Sequence, residues 1–177
     1  MPRLKPSERD QFLAEPGIMM TIATVDSDGA PLVTPIWFVH EEGRIWFTPR
    51  QHSEWLKHLR NDARVALCID EQVMPYRKVV VRGRADIVHE VGNDDAWRDR
   101  YRRIAGRYIP ADDANAYVDG TDDQPRALCA VDLASAEVRS WRMPVAGEAY
   151  DGIWAKRYWT DDAKIKQSAP DVIDRSV

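Results

Sequence analysis

The sequence predicts a mainly β protein, with about six antiparallel strands forming a small barrel and helices inserted between them. Three observations predict it. Three β-like runs follow one another across short turns between Ile18 and Thr48. Strand-like runs return over 64–70, 77–89 and 126–141. No βαβ alternation and no GxGxxG loop occurs, which sets a Rossmann arrangement aside.

The elements follow in order. Ser7 can cap a short helix carrying Phe12 and Leu13, which Gly17 would end. Ile18 to Thr24 is the first strand, and DSDG at 26–29 is a strong turn signal. Leu32 to His40 is the second strand, EEG at 41–43 a second turn, and Arg44 to Thr48 the third strand. Strands joined by short turns must run antiparallel. Ser53 then opens a helix with Trp55, Leu56 and Leu59 on its apolar stripe. RVALCID is a fourth strand and RKVVVRGRADIVH a fifth, whose Gly83 suggests a bulge or a close backbone approach. From Asn93, the expected cap, the period turns helical through Trp97, Tyr101, Ile104, Ala105 and Tyr108. A second short helix is expected over Pro110 to Gly120, and 126–141 closes the barrel as the sixth strand.

Bulk properties exclude several classes. The 177 residues favour one domain, or one domain plus extensions, and 44% hydrophobic residues can build a core. We divide the chain into a barrel domain over 1–142 and a C-terminal arm and polar tail over 143–177. A net charge of −4 argues against a dedicated nucleic-acid binder. Arg98, Arg100, Arg102, Arg103 and Arg107 crowd one helix, but Asp94–Arg98 and Asp99–Arg103 at i,i+4 read better as a salt-bridged solvent face. Cys68 and Cys129 are far apart and read as buried free thiols. No run approaches about 18 apolar residues, so a cytoplasmic protein is the default expectation. No metal site is expected: the four histidines show neither HExxH nor another ligand spacing.

The exit of the third strand carries the chemistry. Thr48, Arg50, His52 and Ser53 lie within six residues, with Lys57 on the following helix. Free N–H groups at a helix start, beside hydroxyls and cations, make an anion site, with phosphate the obvious guest. The same residues also fit a plainly capped surface helix. Pro35 to Phe38, with Trp46 and Phe47, would either flank a flat ring or belong to the core. No GxSxG elbow or Cys/His pair is present, so no catalytic residue stands out and a cofactor would supply the reactivity.

ATVDSDGAPLVTPIWFVHEEGRIWFTPRQHSEWLKHLRNDARVALCID, followed by VVVRGRADIV, resembles the split-barrel core of pyridoxamine 5′-phosphate oxidase-like proteins. The resemblance covers about residues 10–142. It implies an FMN-binding type of split barrel and a homodimer, with FMN or the deazaflavin coenzyme F-420 in a groove between subunits. It also implies that Thr34, Pro35, Ile36, Trp37 and Phe38 lie along the ring, near Phe47, and that Thr48, Arg50, Ser53 and Lys57 hold the phosphate. Residues near Tyr76 to Lys78, together with Trp141 and Arg142, would reach the cofactor from the other subunit. The implied activity is hydride transfer with a small organic substrate. The other readings are a non-catalytic carrier or sensor, and a tetrapyrrole-binding relative using His40, His52 and His89. Trp55 stands where family members often carry a lysine, and the arm after Trp141 does not match the substrate segment of the true oxidases.

Overall fold

The computed structural model describes residues 2–92 and 94–148. The expected Asn93 cap and nearly all of the C-terminal arm lie outside the described residues. A five-stranded sheet has the order β2-β1-β5-β6-β9, and a four-stranded sheet the order β3-β4-β8-β7, both antiparallel. The strands are β1 (Met20–Val25), β2 (Pro31–Ile36), β3 (Val39–Glu41), β4 (Arg44–Phe47), β5 (Arg64–Asp70), β6 (Lys78–Arg84), β7 (Asp86–His89), β8 (Leu128–Asp132) and β9 (Glu137–Trp141). The helices are α1 (Pro6–Ala14), α2 (Glu54–Asn61), α3 (Arg98–Gly106) and α4 (Ala111–Asp119).

The six expected strands are present, but three of them bend and pass from one sheet to the other. The second breaks at Trp37 and Phe38, the fifth at Ala85, and the sixth at the turn over 133–136. These shared corners join the sheets into a split barrel around one core. At the corner shared by the fifth and sixth strands, Arg82 faces Glu137 while Asp86 already faces Ala130. The β8–β9 arm therefore carries three more residues around the outside of the bend. Gly83 sits on the inside: an added Cβ would lie 3.1 Å from the Ala136 Cβ and 3.4 Å from Val131 Cγ1. The close approach expected there is present.

Turn chemistry sets the register. Asp26 Oδ1 accepts the Asp28 and Ala30 N–H groups at 2.9 and 2.8 Å, closing the β1–β2 hairpin. Between β3 and β4, Glu42 and Gly43 both hold positive φ, at 55° and 71°, the backbone a two-residue hairpin demands.

Two clusters of buried side chains result. One fills the barrel with Met20, Ile22, Ile45, Phe47, Leu67, Ile69, Val79 and Val81, capped by Phe12 and Leu13 of α1 and Leu56 and Leu59 of α2. The other lies between the outer face of the four-stranded sheet and α3/α4, joining Trp46, Leu128 and Ala130 to Trp97, Tyr101, Ile104 and Val118. β8 is thus covered on both faces, which explains its unbroken apolar run LCAV. Cys68 and Cys129 are free; burial pushes the Cys129 thiol up to about 12, so it serves as a core residue.

Two local expectations are corrected. Lys5, not Ser7, stands at the N-cap of α1, because Pro6 takes the first helical position. Ser53 does hold the N-cap position of α2, yet its hydroxyl donates to the Arg50 carbonyl at 2.7 Å instead of capping the helix.

Candidate functional site

The helical excursion between β7 and β8 folds back over the exit of β4 and leaves a cleft of about 370 Å³ beneath it. The β2–β3 corner contributes Pro35, Ile36 and Trp37 to its wall. The link from β4 into α2 contributes Thr48, Arg50, Ser53 and Trp55. From the excursion come Tyr101 and Tyr117, and from the entry to β8 comes Arg126.

A single backbone bridge sets two of these side chains together. Arg50 and Arg126 are antiparallel partners, flanked by bonds from Gln51 N–H to the Pro125 carbonyl (2.9 Å) and from Ala127 N–H to the Pro49 carbonyl (3.0 Å). Arg126 is only 8% exposed. Its Nη1 donates to the Thr48 carbonyl at 2.9 Å and its Nη2 to the Tyr117 hydroxyl at 3.2 Å, while the guanidinium lies 4.6 Å over the Tyr101 ring. Its Nε is buried without a partner among the described residues. Burial depresses the Arg126 pKa, and Arg50 pushes the same way. A guanidinium stays charged regardless. Arg50 Nη2 donates to the same Tyr117 oxygen at 3.2 Å.

The aromatic wall is continuous. Trp37 stacks on Tyr108 with centroids 5.0 Å apart and meets Tyr117 edge-on at 5.6 Å. Tyr117 in turn meets Tyr101 at 6.0 Å, and Trp55 packs against Phe47 at 5.9 Å. Burial opposes ionisation of Tyr117, but Tyr101, Arg126 and Arg50 outweigh it and hold the phenol below its ordinary value. Burial pushes the Tyr101 phenol up. The two phenols differ in geometry: the Tyr117 hydroxyl accepts from both arginines, whereas the Tyr101 hydroxyl is buried without a partner among the described residues.

Of the residues singled out from sequence, Pro35, Ile36, Trp37, Thr48, Arg50 and Ser53 come together in the cleft. The others do not line it. Thr34 lies on β2 opposite Ile22, and Lys57 is exposed on α2. Phe38 and Phe47 are wholly buried, each closed into the barrel core. Trp141 is 2% exposed, opposite Lys78 in the β6–β9 register. Arg142 is forked onto Glu148, whose carboxyl it holds down at about 2. Within its own chain Trp141 is a packed residue, and Arg142 is paired with Glu148. Sequence reasoning missed Tyr101 and Tyr117 as site residues, because their helical spacing reads as core, and it missed Arg126, which no local motif marks.

The fold and cleft define a class: split-barrel proteins whose inserted helices roof an aromatic, arginine-bearing pocket beside a β-strand exit. The chain belongs to the pyridoxamine 5′-phosphate oxidase family, whose model matches residues 6–142. Its fold is similar to that of a conserved hypothetical protein from Mycobacterium tuberculosis (23% identity, TM-score 0.66, covering 85% of this chain and 92% of the other). It is also similar to an FAD-binding protein from Mesorhizobium loti (18%, TM-score 0.56, 78% and 95%). A third similar structure is HutZ, the heme storage protein from Vibrio cholerae (18%, TM-score 0.57, 78% and 96%). No curated protein matches the chain.

Proposed function

We propose that the cleft binds a flavin or deazaflavin cofactor and that the protein is an oxidoreductase acting on a small organic molecule. One observation carries this reading: an aromatic cleft that holds two arginines, neither ion-paired with a carboxylate among the described residues. A ribityl phosphate ring has that dual character, and the cleft volume falls in the range of small-molecule sites, roughly 300–1,000 Å³. Trp37 and the backbone of Pro35 and Ile36 would lie along the ring, and Thr48, Arg50 and Ser53 would hold the phosphate. When bound, the ring supplies hydride chemistry; the protein supplies position and exclusion of water. A similar fold in an FAD-binding protein supports the reading.

The site is completed by a second copy of the chain. Met19 (41% exposed) and Pro35 line the cleft, and Val33 (61% exposed) continues this apolar rim along β2, the edge strand of its sheet. Such an exposed apolar rim is the kind of surface a partner covers. The tetrapyrrole reading has less support, since no histidine lines the cleft. His40 is half-buried on β3 and His52 is exposed.

Titration of the purified protein with FMN and with the deazaflavin coenzyme, read by fluorescence quenching, tests the proposal. Micromolar or tighter binding of one of them is expected. Failure of both would remove the oxidoreductase reading.

A further inference from the structure

Tyr108 does not line the cleft, yet it is bonded to the chain neighbours of two residues that do. Its hydroxyl donates to the Ile18 carbonyl at 2.9 Å and accepts the Phe38 N–H at 3.2 Å. The Phe38 carbonyl is farther away, at 3.4 Å, and already receives Arg107 Nη1 at 2.6 Å. Ile18 precedes Met19 and Phe38 follows Trp37, and both Met19 and Trp37 line the cleft. One oxygen therefore ties the entry of β1 to the β2–β3 corner and sets the spacing between two parts of the cleft wall. The ring of the same residue lies flat on Trp37, with centroids 5.0 Å apart and planes 5° from parallel.

Tyr108 is itself held in place. Its backbone N–H donates to the Ala105 carbonyl at 2.9 Å, and the carbonyl of its neighbour Arg107 accepts the Gly17 N–H at 2.7 Å. Burial pushes the Tyr108 phenol up, so the hydroxyl keeps the proton that it gives to Ile18. A phenylalanine here would build the same stack. A stack holds two planes together without fixing where along the plane each ring rests. The two hydrogen bonds supply that missing restraint. Trp37 is half-buried, and its other aromatic neighbour, Tyr117, meets it only edge-on at 5.6 Å.

We propose that Tyr108 is a positioning residue whose hydroxyl fixes the indole of Trp37, and with it the aromatic wall that a bound ring lies against. The inference rests on the cofactor reading above for the identity of that ring. A side chain that touches a ligand is held to within about 0.5 Å of its productive place by the packing and hydrogen bonds of residues behind it. Tyr108, just past the end of α3, provides both to Trp37.

The test is a double-mutant cycle of Tyr108→Phe and Trp37→Leu on the full chain, read by FMN affinity at a temperature where all four proteins give the folded far-UV spectrum. Tyr108→Phe alone should weaken FMN binding about tenfold. Made on top of Trp37→Leu, it should change affinity by less than about twofold, because the residue it acts through is gone. A loss as large in that background as in the wild type, or no loss in the wild type, would overturn the proposal. A second measurement needs no cofactor. Acrylamide quenching of tryptophan fluorescence, taken as the difference between each protein and its Trp37→Leu counterpart, isolates Trp37 among the seven tryptophans. Tyr108→Phe should make Trp37 easier to quench. If FMN binds none of the four proteins, a rise in quenching keeps the positioning role while the cofactor reading falls. Unchanged quenching sinks the positioning role whatever binds.

Discussion

Arg107 ties three parts of the chain together through one side chain. Its Nη1 donates to the Phe38 carbonyl at 2.6 Å, and its Nη2 to the carbonyls of Leu13 and Glu15 at 2.7 and 2.6 Å. The guanidinium also lies 4.2 Å over the Phe38 ring. These bonds satisfy carbonyls at the end of α1 and at the β2–β3 corner that shapes the cleft. Arg107→Met should cost about 3 kcal/mol in urea unfolding, since charged hydrogen bonds are worth roughly 1.5–3 kcal/mol each and part of the loss is recovered by relaxation. Arg107→Lys should not restore it, because an ammonium lacks the fork. A second residue gives a pH prediction. Glu71 has a side chain 8% exposed and is paired with Arg77, which holds its carboxyl below the ordinary 4.5. A depressed carboxylate contributes stability that is present above its unfolded pKa and lost as pH falls through its folded one. The melting temperature should therefore fall as pH drops below about 4.5, and more gently in Glu71→Gln. At this scale the sequence was legible in kind but not in partner. The arginines of α3 do make ion pairs, but Arg98 reaches Asp95 and Asp122 instead of Asp94, and Arg103 reaches Glu41 instead of Asp99. Distant strands and turns supplied better-placed carboxylates than the helix itself, and helical spacing cannot reveal those.

The elements most readable in sequence were those with a single environment. β5 was expected over 64–70 and lies there, because its residues alternate between core and surface from end to end. The three bent strands were read as continuous, since a β-like run has no local mark where it leaves one sheet for the other. Gly83 was the one such mark, and its neighbourhood makes a prediction. A side chain there must displace Ala136 and Val131 on the facing arm of the corner. Gly83→Val should destabilise the protein by about 1–3 kcal/mol through overpacking. Flavin affinity should be nearly unchanged once the variant is folded, because none of these three residues lines the cleft. A large loss of affinity with an unchanged melting temperature would show that the corner acts on the site and not on the fold.

At the scale of the molecule, the half of the cleft built from one continuous stretch was legible: Pro35 to Trp37 and Thr48 to Ser53 lie close together in sequence. The other half was not, because Tyr101, Tyr117 and Arg126 arrive only when the excursion packs on the outer face of the four-stranded sheet. The same logic extends to the second copy proposed for the open side of the cleft. β2 pairs on one edge only, with β1, and presents Pro31, Val33 and Pro35 outward. Pro31 and Pro35 bar strand addition at this edge, so a second copy would be joined through the apolar side chains of the rim, which carries no charge. Val33→Asp places a charge there without touching the barrel core, since Val33 is 61% exposed. Light scattering on the wild type should give twice the mass of one chain, and on Val33→Asp the mass of one chain, with an unchanged far-UV spectrum. Flavin affinity should weaken in the variant, because Met19 and Pro35 on the same rim line the cleft. A wild type that remains monomeric while it binds cofactor would place the whole site within one chain and overturn the dimer.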